Sequence, residues 1–230
     1  MHLPFEQFPA LSAIKICRHV FTQRIPGIDV SHDKAEVLER LHAAHREIRN
    51  ATGFGNWPLF TAEQIHGNKI ELVGPTVASA VRSGVDGREF PGCDGIITNQ
   101  RGIALGIYVA DCCAVYIVDP KTPAIGLVHS GRKGTELGVV ANAIRQMIER
   151  FGSDRANMVV ELSPCIRPPN YEVDFAAEIV RQCRALGIQH IHDSGTCTAC
   201  DLGRYYSYRA EKGKTGRMLA VIGLHPTTAN

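Results

Sequence analysis

The chain has 230 residues, of which 44% are hydrophobic and 21% charged, and its formal net charge is +2. This composition is typical of one globular domain with a substantial core, and the charge is too small to indicate nucleic acid as the main partner. The first eight residues lack the basic and apolar regions of a signal peptide, and aspartates interrupt the longest apolar runs, so we expect neither secretion nor a membrane span.

Hydrophobic periodicity predicts strands and helices that alternate irregularly along a single domain, residues 1–230. Strands are predicted, in chain order, at residues 14–24, 59–64, 69–73, 94–98, within 102–118, and at 124–128, 158–162 and 217–224. Helices are predicted at residues 33–50, from 135 to 151 and from 174 to 186. Residues 74–92 contain few apolar runs and are predicted to form an exposed excursion. This pattern indicates an α+β fold in which helices pack on a mixed β-sheet.

Three short segments place reactive side chains at the ends of apolar runs. They are Gln64-Ile65-His66-Gly67, Ala110-Asp111-Cys112-Cys113 and His129-Ser130-Gly131. Two histidines and a thiolate are a ligand set that zinc accepts, with a fourth position left open for chemistry. The same residues could form a Cys–His nucleophile pair. Taken singly, each also has an ordinary interpretation, as a buried cysteine or a surface histidine, and their spacing matches no local zinc-finger pattern.

Two charged features lie within or next to these segments, namely Asp111 and the basic turn that follows His129. Asp111 lies inside an apolar run, so it must pair with donors or a cation, either beside a ligating histidine or as the cap of a nearby turn. The turn that follows His129 contains Arg132 and Lys133 and leads into a helix, which makes it a candidate anion site. It could equally be a glycine-rich turn with solvated basic residues.

The eight cysteines predict free thiols, metal ligands or catalytic groups in a cytoplasmic protein, because the chain has no signal peptide. Cys197 and Cys200 form a C-x-x-C pair that could be half of a structural zinc site or a redox pair. We favour packing or an incidental pair of thiols, because no second C-x-x-C occurs.

Six segments, taken together and in order, carry a resemblance. They are 64–67, 93–99, 106–112, 129–134, 164–173 and the segment from 197 to 218, which includes Cys197-Thr198-Ala199-Cys200, Tyr206-Ser207-Tyr208-Arg209 and Thr215-Gly216-Arg217-Met218. They resemble the motifs of the YfiH-type family, also called the laccase-domain or multicopper polyphenol oxidoreductase family, from about residue 60 to the end. The resemblance implies a single α+β domain built as a layered sandwich.

The resemblance also implies a metal site and an activity. The implied ligands are His66, Cys112 and His129, with Asp111 as a further catalytic residue. The implied activities are phosphorolysis of adenosine, inosine, guanosine or methylthioadenosine, and deamination of adenosine. We favour zinc over copper, because three ligands at one centre make a poor multicopper cluster. A metal at this site would lower the pKa of water for attack on C6 of adenine.

Phosphorolysis requires a held phosphate, for which the candidates are Arg132, Lys133 and Arg209. The expected partners are therefore purine nucleosides and phosphate, with no nucleic acid and no membrane, and a homo-oligomer is compatible with the sequence. Arg132-Lys133 replaces the Trp-Arg of the family motif, which keeps basic charge and loses an aromatic side chain. Three other functions stay open: a Cys–His hydrolase with Cys112 as nucleophile, a copper-dependent polyphenol oxidase, and a non-catalytic metal-binding domain.

Overall fold

The strands of the chain form two β-sheets, seen in a computed structural model that describes residues 3–74 and 81–226. The strands are β1 (Phe5–Glu6), β2 (Cys17–Thr22), β3 (Leu59–Ala62), β4 (Ile70–Leu72), β5 (Arg82–Ser83), β6 (Arg88–Phe90), β7 (Gly95–Thr98), β8 (Ala104–Val109), β9 (Cys113–Asp119), β10 (Ala124–Ser130), β11 (Val159–Leu162), β12 (His190–Asp193) and β13 (Met218–Leu224). The helices are α1 (Pro9–Ser12), α2 (Lys34–Ala51), α3 (Arg132–Glu136), α4 (Val139–Phe151) and α5 (Phe175–Ala185), and Thr198–Cys200 forms a short 3-10 turn.

Both sheets mix parallel and antiparallel neighbours. The first has the strand order β1-β2-β13-β8-β3-β6-β5, with β3 parallel to β8 and β6. The second has the order β12-β11-β9-β10-β7-β4, with β12 parallel to β11 and β4 parallel to β7. The predicted α+β layered sandwich is confirmed, although the strands are divided between two mixed sheets rather than placed in one.

Strand β9 shows how the layers are built. Alternate side chains, Ala114, Tyr116 and Val118, join the core between the two sheets. The intervening ones, Cys113, Val115 and Ile117, join a second core with α4 and α5 on the outer face. Because both faces of the strand are covered, its sequence is a continuous apolar run without polar alternation.

Helix α2 covers the outer face of the first sheet, where His45 lies against Tyr108 with ring centroids 5.9 Å apart. It begins as predicted, because the Asp33 side chain accepts hydrogen bonds from the backbone N–H groups of Ala35 and Glu36. Asp174 caps α5 in the same way, by accepting from Ala177 N–H. Within the described residues, no helix combines the length and the apolar character needed to cross a membrane.

The prediction of one helix from 135 to 151 was wrong at its start. Gly138 has a φ of 69°, which breaks the segment into α3 and α4 and leaves Leu137 48% exposed. The prediction of an exposed excursion at 74–92 was also only partly correct, because this segment contains β5 and β6 and the side chain of Phe90 is buried. Residues 75–80 of that excursion lie outside the described part of the chain.

Candidate active site

The side chains of His66, Cys112 and His129 meet at one point. His66 follows β3, Cys112 lies in the turn between β8 and β9, and His129 lies near the end of β10. One ligand atom from each lies within 4.8 Å of the others, and Cys112 Sγ is 3.9 Å from His66 Nε2. Ligand atoms around tetrahedral zinc are about 3.5 Å apart, so a shift of about 1 Å would complete the geometry. The donor set therefore fits zinc.

The side chain of Gln64 holds the loop that carries His66 against β8. Gln64 and His66 both adopt left-handed backbone conformations, with φ values of 66° and 60°. The Gln64 amide accepts a hydrogen bond from Tyr108 N–H at 3.0 Å and donates one to Tyr108 C=O. This pairing ties the loop to the end of β8, close to Cys112. Strained conformations of this kind persist where the surrounding structure enforces them, often at functional sites.

A buried carboxylate, Asp94, connects the two histidines. It accepts hydrogen bonds from His129 Nδ1 at 2.9 Å, from His66 N–H at 2.8 Å and from Gly67 N–H at 2.7 Å. Burial raises the pKa of Asp94, but the hydrogen bonds from His129 and the two amides outweigh it and hold the pKa below the usual value. The bond to Nδ1 leaves His129 Nε2 free for a ligand, which is how carboxylates orient metal-binding histidines.

Cys112 and His129 shift each other toward charge. Burial raises the pKa of the Cys112 thiol, but His129 and His66 lower it to about 6. Burial likewise disfavours a charge on His129, but Cys112 and Asp94 raise its pKa to about 9. Near neutral pH the metal-free site therefore holds a thiolate beside an imidazolium. A thiolate is both the ligand form of cysteine and its nucleophilic form.

Gly131 leaves the space that the cysteine occupies. A Cβ atom added at this position would lie 2.5 Å from Cys112 Sγ. We expect Gly131→Ala to weaken zinc binding at least about tenfold, because the sulfur must move away from the two histidines. Competition with a chromophoric chelator would measure the affinity. Gly203→Ala is the control, since its nearest contact would be at 3.4 Å, and it should bind zinc as the natural protein does.

Asp111 occupies a different position from Asp94. Its carboxylate accepts hydrogen bonds from Thr198 Oγ1 at 2.9 Å and from Arg209 N–H at 2.8 Å. Of the two expectations for this residue, bonding to a neighbouring turn matches the observed contacts, whereas Asp94 supports the histidine. Asp111 thereby holds the backbone of Arg209 next to the cysteine loop.

A cavity of about 470 Å³ opens at His66, Cys112 and His129. Its lining includes the basic side chains of Lys34, Arg132, Arg209 and Arg217 and the aromatic side chains of Tyr171, Phe175 and Tyr208. Lys133 is exposed and is absent from this lining, so it does not join Arg132 and Arg209 there. Of the three basic residues predicted to bind phosphate, Arg132 and Arg209 therefore line the cavity. Lys34 and Arg217 also line it, although the sequence did not predict them.

One carboxylate lies between the two arginines. Arg132 Nη1 is 3.7 Å from Glu172 Oε1, and Arg209 Nη2 is 3.3 Å from Glu172 Oε2. The Arg209 guanidinium also lies over the ring of Tyr171, 4.8 Å from its centroid. Exposed ion pairs such as these contribute at most about 1 kcal/mol each, so an incoming anion can displace them.

The sequence profile of the family described as multi-copper polyphenol oxidoreductase laccase matches residues 18–179 and 173–225. The chain belongs to this family. Within the described residues, His66, Cys112 and His129 form the one group of three or more histidine, cysteine or carboxylate side chains placed to bind a metal ion. A multicopper cluster needs more ligands than this single centre provides.

Similar proteins carry a different functional name. A purine nucleoside phosphorylase of Corynebacterium glutamicum is 31% identical over 90% of this chain and 94% of its own length. The purine nucleoside phosphorylase YlmD of Geobacillus stearothermophilus is 27% identical over 86% of this chain and 82% of its own. The human purine nucleoside phosphorylase LACC1 is 33% identical over 78% of this chain and 46% of its own.

Solved structures share the fold. The crystal structure of YlmD from Geobacillus stearothermophilus has a TM-score of 0.84 at 22% identity, covering 96% of this chain and 99% of that one. A Bacillus licheniformis protein, YfiH, gives a TM-score of 0.77, also at 22% identity, covering 90% of this chain and 92% of that one. The chain therefore shares its fold with both of these proteins.

Proposed function

We propose that the chain is a zinc-dependent purine nucleoside phosphorylase that also deaminates adenosine. One observation carries the proposal: His66, Cys112 and His129 converge within a cavity that also presents arginines and aromatic rings. The names of the relatives support the substrate class, and adenosine, inosine, guanosine and methylthioadenosine are the proposed substrates. The donor set supports zinc as the metal.

In phosphorolysis, Arg132 and Arg209 would bind the phosphate dianion through charged hydrogen bonds and release Glu172. A phosphate oxygen attacks C1′ of the ribose while the bond from C1′ to the purine breaks. The bonding electrons leave with the base, which takes up a proton, and ribose-1-phosphate forms. The arginines would hold phosphate inside the cavity for attack at C1′, and Tyr171, Phe175 and Tyr208 offer apolar surface for the purine.

In deamination, water replaces the amino group at C6, and inosine and ammonia are the products. When bound here, zinc would supply a Lewis acid and lower the pKa of water. The protein contributes the orientation of the ligands, because Asp94 fixes His129 and the backbone of His66. It also contributes a partly enclosed cavity that positions the purine.

Incubating the purified protein with adenosine, with and without phosphate, tests both activities. Adenine and ribose-1-phosphate formed only with phosphate support phosphorolysis, and inosine formed without phosphate supports deamination. If neither product forms with the zinc-loaded protein, the proposal is wrong. Inosine, guanosine and methylthioadenosine, each tested with phosphate, would rank the substrates.

A Cys–His hydrolase is the second candidate, and the thiolate favours it. With the pKa of Cys112 at about 6, the thiolate predominates above that pH, whereas an ordinary thiol with a pKa near 9 would still be protonated. Iodoacetamide should therefore alkylate the chelator-treated protein at Cys112 at a rate that rises from pH 5 and levels off near pH 7. Peptide mapping against time measures this rate. Protection of Cys112 by one equivalent of zinc favours the metalloenzyme, and zinc-independent alkylation favours the hydrolase.

Glu172 offers a test of phosphate binding. Because its carboxylate pairs with both arginines, we expect Glu172→Gln to lower the KM for phosphate about threefold to tenfold, with little change in kcat. Glu178→Gln is the matched control, since Glu178 pairs with Arg181, which does not line this cavity, and its KM for phosphate should stay unchanged. Steady-state kinetics at varied phosphate would measure both. An unchanged or higher KM in Glu172→Gln alone would show that Glu172 does not compete with phosphate.

A further inference from the structure

Cys197 and Cys200 lie side by side at the surface next to the cavity. Cys197 is half-buried and Cys200 is exposed; Cys197 directly precedes the short 3-10 turn Thr198–Cys200, and Cys200 is its last residue. The amide of Asn170 donates a hydrogen bond to each sulfur, at 3.5 Å to Cys197 and 3.0 Å to Cys200. One small donor can reach both only if the sulfurs are neighbours. The structure therefore shows a pair of adjacent, solvent-accessible thiols.

Metal binding does not account for this pair. Among residues 3–74 and 81–226, the group of three or more potential ligands is His66, Cys112 and His129, and no histidine or carboxylate completes a set with the two thiols. Packing alone does not account for it either, because Cys200 is exposed, in contrast to Cys165, which is fully buried beside Cys197. Two adjacent thiols open to solvent are the arrangement that thiol–disulfide exchange requires.

The two thiols are chemically unequal. Burial raises the pKa of Cys197, but hydrogen bonds with the backbone at Arg167, with Cys200 and with Asn170 lower it below the usual value. The neighbouring Cys197 raises the pKa of Cys200. Cys197 is thus the better attacking group, and Cys200 is placed to attack second.

The residue between the cysteines is connected to the candidate active site. Thr198 is fully buried, and its hydroxyl donates the hydrogen bond to Asp111. The other oxygen of Asp111 accepts from Arg209 N–H, and Asp111 directly precedes Cys112. The turn at Thr198 is therefore joined through Asp111 to the backbone of a cavity arginine and to the residue that precedes a candidate metal ligand.

We propose that Cys197 and Cys200 form a reversible dithiol–disulfide site that exchanges with small disulfides, and that its oxidation alters the candidate active site through Thr198. The Cys197 thiolate attacks one sulfur of a small disulfide, forms a mixed disulfide and releases one thiol. Cys200 then loses its proton and attacks the Cys197 sulfur, which forms the Cys197–Cys200 bond and releases the second thiol. Two electrons pass from the protein thiols to the small disulfide, which becomes two thiols.

Oxidised glutathione tests the first half of the proposal, independently of any nucleoside activity. The Cys112→Ser protein, which lacks the thiol of the candidate active site, would be equilibrated with glutathione buffers, trapped with acid and alkylated. We expect mass spectrometry of peptides to show a Cys197–Cys200 disulfide that dithiothreitol reverses. Cys112→Ser/Cys200→Ser should instead accumulate one glutathione on Cys197. If both cysteines stay alkylated in the most oxidising buffer, or if the disulfide joins other cysteines, the site is disproved.

The second half of the proposal, that oxidation alters the candidate active site, rests on the proposed function and needs a separate measurement of activity. In the zinc-loaded natural protein, we expect oxidation to change kcat/KM for phosphorolysis at least threefold, reversed by dithiothreitol, with no such change in Cys197→Ser/Cys200→Ser. Thr198→Val should still form the disulfide, yet its kcat/KM should respond less than twofold to oxidation. Full oxidation of the natural protein without a change in kcat/KM would overturn this half. A protein without phosphorolysis in either redox state would instead overturn the proposed function.

Discussion

Replacing Cys112 with alanine is expected to abolish stoichiometric zinc binding and to reduce phosphorolysis and deamination by on the order of a thousandfold or more. Only two histidine ligands would remain, and one of them, His66, is exposed. The substitution also removes one of the two groups that raise the pKa of His129, the other being Asp94, so the imidazolium is less favoured. Zinc content after dialysis and initial rates with adenosine and phosphate would measure the two effects.

Cys113, the next residue along the chain and the first of β9, provides the control. Its side chain is fully buried in the core on the helical side of the second sheet and lies next to Ser163. Cys113→Ala should cost about 1–2 kcal/mol of unfolding free energy and retain one equivalent of zinc. A Cys112→Ala protein that keeps both zinc and full activity would contradict the ligand assignment. Equal loss of zinc in both variants would instead indicate a collapse of the turn.

The parts of the fold that depend on short-range signals could be predicted from the sequence. Asp33 and Asp174 are standard helix caps, and the apolar period of α2 and α5 identifies a buried face. The division of strands between two sheets could not be predicted, because a strand such as β9 is apolar on both faces whichever layers cover it. The break at Gly138 was also missed, since Leu137 continues the helical period although it is exposed.

The candidate site, like the fold, could be predicted from the sequence only in part. His66, Cys112 and His129 were grouped as candidate ligands by the order of their segments among the other motifs, and the structure brings the three side chains together. Asp94 was missed because its partners, His66 and His129, are distant in the sequence and two of its bonds go to backbone amides. The one available signal was a carboxylate immediately before the buried strand β7. Lys34 was missed for a similar reason, since only the packing of α2 brings it to the cavity.

Arg132 shows what a single substitution does to this cavity. It occupies the position of the tryptophan in the family motif, and it is the residue of the Arg132-Lys133 pair that lines the cavity. Relative to that motif, this chain therefore has a cation in place of an aromatic residue, at a position where phosphate is proposed to bind. Because Tyr171, Phe175 and Tyr208 remain in the lining, apolar surface for a purine is retained on other elements.

Asp94→Asn is expected to weaken zinc binding about tenfold to a hundredfold, with a matching loss of activity at limiting zinc. The asparagine oxygen could still accept from His129 and His66, but its NH₂ group would face the N–H of Gly67, where two donors oppose each other. The loss of the negative charge should also lower the pKa of His129 and loosen its orientation. Chelator competition would give the zinc affinity, and urea unfolding would give the stability.

Asp119→Asn is the control that separates a loss of zinc affinity from a loss of stability. Asp119 is also fully buried, and it accepts hydrogen bonds from the backbone N–H groups of Lys121, Thr122 and Asp154 at the opposite end of β9. Both substitutions should therefore cost about 1–3 kcal/mol of unfolding free energy. Only Asp94→Asn should lose zinc affinity, because only Asp94 bonds a ligating histidine. Equal losses of affinity in the two variants would mean that zinc binding responds to general loosening of the second sheet, and the orienting role of Asp94 would have to be abandoned.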